Sequence, residues 1–157
     1  MARAALALTI LLAGCGLVSR DFVVEQEFLA GGGPPDFSAS FDSTKIAGPL
    51  SGDVSKISSI TLKAARIEAT DGKDVSFVSD ATISISGSNN ILPTALLAKL
   101  AAPAPTGATS VDLAITPKEL KPYLLASGSI TAGISYNPTP VTARTLKLVL
   151  TLHGSLF

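Results

Sequence analysis

The chain has 157 residues, enough for one domain that buries most of the surface its unfolded form exposes. Twelve basic and twelve acidic residues cancel, and no basic cluster stands out, which argues against nucleic acid as a partner because that binding rests on neutralising phosphates. A single cysteine leaves no disulfide within the chain, and the lack of tryptophan with few other aromatics removes the platforms on which sugars and bases stack.

Arg3 is the only charge before Arg20, and from Ala4 to Ala13 the residues are apolar except for Thr9. A positive start followed by a short apolar run is the layout of a secretory signal, and the run is too short to span a bilayer, which takes about 20 apolar residues. It ends at Leu12-Ala13-Gly14-Cys15. Small residues at Ala13 and Gly14 fit a peptidase cleft, and a thiol at Cys15 is the best nucleophile among ordinary side chains. This stretch resembles the lipobox of bacterial lipoproteins. The resemblance implies that residues 1–14 are a signal peptide cut before Cys15. It also implies that Cys15 carries the lipid and that the membrane is a partner through this acylated N-terminus. In many Gram-negative bacteria an Asp after the lipidated cysteine retains such proteins at the inner membrane. Here Gly16 follows, so the resemblance implies the outer membrane, facing the periplasm. Residues 15–20 read as a lipidated tether and 21–157 as one domain.

Along that domain, Phe22 to Leu29 alternates as a strand. Gly31-Gly32-Gly33-Pro34-Pro35-Asp36 breaks it, and Phe37, Ala39 and Phe41 alternate with polar residues as a second strand. Over 57–70 the apolar set changes phase, with Ile60, Leu62 and Ala64 on one face and Ile67 and Ala69 one position out of phase. A bulge near Ala64-Ala65 would reconcile them, since one extra residue flips the face. Asp71-Gly72 is a turn signal, and Ala81, Ile83 and Ile85 make the next strand.

Leu92, Leu96 and Leu100 repeat at a helical interval, with Pro93 suited to a first helical position and Pro103 to a stop. The spacing predicts a short helix over 93–100 with these leucines packed into the core. Val111, Leu113 and Ile115 alternate as a strand. Thr116, Pro117 and Glu119 predict a helix start with a capping box, ending near Gly128. Ile130, Ala132, Ile134 and Tyr136 share a strand face, Asn137-Pro138-Thr139-Pro140 turns, and Leu146, Leu148, Leu150 and Leu152 point inward from a last strand. The pattern predicts a mainly β fold: an antiparallel β-sandwich of about seven to eight strands with one or two short helices.

Chemistry is sparse. His153 is the only histidine, and its phase, opposite to the leucines, places it on the solvated face. A metal site or a Ser-His-Asp triad would need it, and no Gly-x-Ser-x-Gly elbow occurs. Asp71 and Asp74 flank Lys73, which suits a hairpin turn better than a calcium loop. Asp21, Glu25 and Glu27 form an acidic patch that reads as a protected strand edge. The glycines from Gly31 lack the Lys-Ser/Thr of a phosphate loop. Stepping back by twos from Phe157 meets Ser155, His153 and Thr151, which excludes a lipid-facing barrel strand. No cofactor and no catalytic residue are expected. The expectation is therefore a non-catalytic structural or protein-interaction module on a lipid anchor, with an unidentified envelope protein as a possible partner. The alternative is a carrier of an apolar ligand, which would need a pocket of about 300 Å³ or more lined by Leu, Ile and Phe.

Overall fold

The computed structural model describes residues 18–31, 36–47, 54–88, 92–138, 140 and 142–156. The strands are β1 (Val18–Ala30), β2 (Asp36–Asp42), β3 (Ile57–Ala69), β4 (Val78–Ser86), β5 (Ala95–Lys99), β6 (Ser110–Asp112), β7 (Ala114–Ile115), β8 (Ser129–Tyr136) and β9 (Arg144–Leu156). Two short helices, α1 (Ser43–Ala47) and α2 (Lys121–Leu125), and a 3₁₀ turn at Val54–Lys56 complete it. One sheet runs β1-β9-β3-β6 and the other β2-β8-β4-β5-β7, with every pairing antiparallel. The extended segment Ser110–Ile115 serves both sheets. β6 pairs with β3, β7 pairs with β5, and buried Leu113 lies between, its N–H donating to the Ala65 carbonyl at 2.9 Å. With β6 and β7 counted as one bent strand, the order is that of an eight-stranded jelly roll, the double-sheet form of the β-sandwich.

Alternation builds the core. Leu146, Leu148, Leu150 and Leu152 of β9 are fully buried, facing Ile83, Ile85, Ile130 and Ala132 from the second sheet, and no polar or charged residue is buried among the described residues. β3 holds the phase change that its sequence announces. The register slips between Leu62 and Ala64, so Ile60 and Leu62 point inward before it and Ala65 and Ile67 after it. Ala64, expected on the face of Ile60 and Leu62, lies with Lys63 on the outer face because the extra residue comes one position earlier.

Three expectations change. Residues 95–99 form β5 instead of part of a helix. Here too a bulge intervenes, between the pairs Ile83–Ala98 and Ser84–Leu96, so that Leu97 and Ala98 are both buried and Leu96 is 40% exposed. A bulged strand that buries two neighbours loses its period of two, and its leucines then mimic a helical interval. The second helix is shorter than predicted. Glu119 does not close a capping box on Thr116; its Oε1 accepts the Ile60 N–H at 2.8 Å, it bridges to Thr61, and α2 starts beyond it with Leu120 as N-cap. An open backbone donor on β3 takes the carboxylate that a cap would have used. Finally, β1 begins at Val18, opposite Leu156, so residues 18–20 of the expected tether belong to the strand.

The sandwich has two distinct ends. The start of β1, the start of β3, the Val54–Lys56 turn and α2 meet at one, where Leu120 donates its N–H to the Ile60 carbonyl. At the other, the loop after β3 meets the turn after β8, with the Asn137 N–H donating to the Phe77 carbonyl at 2.8 Å.

Candidate functional site

Cys15, the expected lipid attachment site, lies outside the described residues, as does the leader before it. The feature with site-like geometry is the outer face of the β1-β9-β3-β6 sheet. The register lines its residues up in rows across the strands. Asp21, His153 and Thr61 make the first row, and Val23, Thr151 and Ala64 the second. The third is Glu25, Val149, Arg66 and Asp112, and the fourth Glu27, Lys147 and Glu68. The two middle rows supply most of the lining of a groove of about 350 Å³, formed by Val23, Glu25, Ala64, Arg66, Glu68, Asp112, Val149 and Thr151. The bulge in β3 makes the groove. It turns small Ala64 outward beside Lys63, whose side chain reaches across the outer face to Asp21 on β1.

Ion pairs frame the apolar floor. Lys63 Nζ lies 2.7 Å from Asp21 Oδ2, and His153 Nδ1 lies 2.7 Å from Asp21 Oδ1. The Lys63 ammonium first, and the His153 ring second, hold the Asp21 carboxyl below its ordinary value. Arg66 Nε sits 2.7 Å from Asp112 Oδ1, and this contact raises the guanidinium's pKa. At the far rim Lys147 Nζ bridges Glu68 at 2.9 Å and Glu25 at 3.2 Å, and those carboxylates, Glu68 foremost, raise the ammonium's pKa. Asp21, Glu25, Arg66, Glu68, Asp112 and Lys147 are all engaged in ion pairs across this face. That leaves the groove a strip of Val, Ala and Thr between paired charges. Among the described residues no three His, Cys, Asp or Glu side chains gather as a metal site.

The sequence-predicted residues fall as follows. His153 lies on the outer face, where its phase put it, but it contacts Asp21 from 132 positions away. The acidic patch of Asp21, Glu25 and Glu27 is on the same face, with Asp21 and Glu25 drawn into cross-strand pairs. Asp71 and Asp74 sit at the opposite end of the molecule and serve structure. Arg144 donates to Asp71 Oδ1 at 3.0 Å and to the Asp74 carbonyl, while Asp74 accepts from the Ser76 hydroxyl and N–H. Ala64, Arg66, Val149 and Thr151 went unremarked as site residues. The one signal was the phase change in β3, which marks where an outer face is disturbed.

No family model matches this chain, and no curated protein does. Among solved structures it is similar to the decameric BFDV capsid protein, at 9% identity over 90% of this chain and 100% of that one, with a TM-score of 0.46. It is similar also to Desmodium yellow mottle tymovirus, at 9% identity over 98% and 96% with a TM-score of 0.34, and to turnip yellow mosaic virus, at 16% over 97% and 89% with a TM-score of 0.35. Similarity this distant carries no functional weight, and the jelly roll stands on the strand order itself.

Proposed function

We propose that this is a lipid-anchored protein of the bacterial cell envelope whose jelly roll is a non-catalytic interaction module. The observation that carries the reading is Leu12-Ala13-Gly14-Cys15 at the end of a short apolar run behind Arg3. Acylation at Cys15 gives stable anchoring, because each buried CH₂ contributes about 0.8 kcal/mol and several chains act together. Gly16 favours the outer membrane, with the domain in the periplasm. The groove over Val23, Ala64 and Val149 supports a protein partner, since its charged groups are already paired and its floor is apolar. The carrier alternative calls for a pocket lined by Leu, Ile and Phe. The groove is lined by none of these, and the leucines and isoleucines of both inner faces pack against each other.

The test is metabolic labelling with a fatty-acid analogue. The wild-type chain should take label and sediment with membranes, and Cys15→Ser should do neither. A Cys15→Ser chain that still carries label in the membrane fraction overturns the reading.

A further inference from the structure

We propose that the α2 end of the sandwich docks on the phospholipid surface, with Leu125 at the interface and Lys45, Lys56, Lys118 and Lys121 toward anionic headgroups. The inference rests on the reading of Cys15 as the lipid attachment site. Its first support is a length. Only Gly16 and Leu17 separate Cys15 from Val18, where β1 begins. Three peptide steps span at most about 11 Å whatever path they take. Acyl chains on Cys15 must enter the bilayer, so the start of β1 is held at its surface. Val18 is paired with Leu156, which is paired in turn with Ile57, the residue after Lys56. The Val54–Lys56 turn and α2 therefore come to the membrane with it.

The second support is what that end carries. α2 buries Tyr123 and Leu124 but leaves Leu125 55% exposed, one of four large apolar side chains so placed among the described residues. Among the described residues, Arg20, Lys45, Lys56, Lys118 and Lys121 lie at that end with Asp42 and Glu119. Asp42 and Glu119 are turned to backbone donors, the Lys45 N–H at 2.8 Å and the Ile60 and Lys121 N–H groups at 2.8 and 3.1 Å. At the opposite end Asp71 and Asp74 are balanced by Arg144 and Lys73. An exposed leucine on the same end as several lysines is the chemistry of an interfacial contact, the apolar chain entering the boundary while ammonium groups stay with phosphates. Headgroup attraction acts over a Debye length of about 8 Å, comparable to the reach of the short tether. The groove begins five to seven residues along β1, about 16–23 Å from Val18, and stays open to the periplasm.

The test uses the full acylated chain in vesicles of phosphatidylethanolamine with a minority of phosphatidylglycerol. With the Cys15 sulfur acylated, Leu125→Cys, or Lys73→Cys in a second variant, gives one free thiol for a fluorophore. Nitroxide on the lipid headgroups should quench the label at position 125 several-fold more than at position 73. Adding Lys56→Glu and Lys121→Glu should shrink that difference without releasing the chain. Equal quenching at the two positions in vesicle-bound protein, or stronger quenching at 73, overturns the docking while leaving the anchor intact. A chain with Cys15 at its unmodified mass that does not float with the vesicles defeats the anchor reading, and the docking with it.

Discussion

Leu96 and Leu97 are chemically identical neighbours with opposite fates. The bulge in β5 buries Leu97 completely and leaves Leu96 at the surface. Leu97→Ala should cost about 2–5 kcal/mol, as cavities in packed cores do. Leu96→Ala should cost less than about 1 kcal/mol. Urea unfolding of the two variants checks the pair, and similar losses would place 93–100 back in a helix. Gly128 is the other decisive single residue. A Cβ there would come within 3.0 Å of both the Ser86 and Tyr123 carbonyl oxygens, and its own N–H already donates to Tyr123 at 2.8 Å. Backbone cannot move aside as a flexible side chain would. Gly128→Ala should therefore destabilise by about 1–3 kcal/mol, read as a lowered thermal midpoint.

At the scale of elements, β3 and β9 show what a sequence discloses. β9 is legible outright, because four leucines at alternate positions have no other reading. β3 is legible with one inserted residue, and the structure places that insertion at Lys63, one position ahead of the expected site. β5 hides because a bulge in a five-residue strand removes most of the alternation there is. The groove hides for a different reason. It exists only once β1, β3 and β9 lie side by side, and nothing local in Val23, Ala64 or Val149 tells which strands adjoin. The Lys63 bulge yields a prediction of its own. Deleting Lys63 removes the unpaired extra residue and puts Ile60, Leu62, Ala65 and Ile67 into one unbroken alternation against β9. The deletion should therefore keep a cooperative unfolding transition by circular dichroism, and Lys63→Ala, which only releases an exposed ion pair, should leave the midpoint nearly unchanged.

For the whole molecule, the signs of the pKa shifts set a pH window. Asp21, Asp71 and Asp74 are each held below the ordinary carboxylate value, by Lys63, by Arg144 and by Ser76 respectively. A group with a lowered folded pKa contributes stability above its unfolded value and loses it as pH falls through the folded one. Stability should therefore drop below about pH 4. Lys147 has the opposite sign. Its contribution is present below the ordinary lysine value and is lost as pH rises through the raised one, above about pH 10. Urea midpoints across this range should trace a plateau between the two edges. One feature of the strand order also governs how the chain is made. β1 has β9 as its ladder partner, and Asp21 waits for a residue 132 positions downstream. At about 5–20 residues per second that is a delay of roughly 7–26 s, during which the first strand of the sheet has nothing to zip against. Pulse-labelled amide exchange on stalled chains should find β1 unprotected when synthesis stops at residue 143 and protected once β9 is complete.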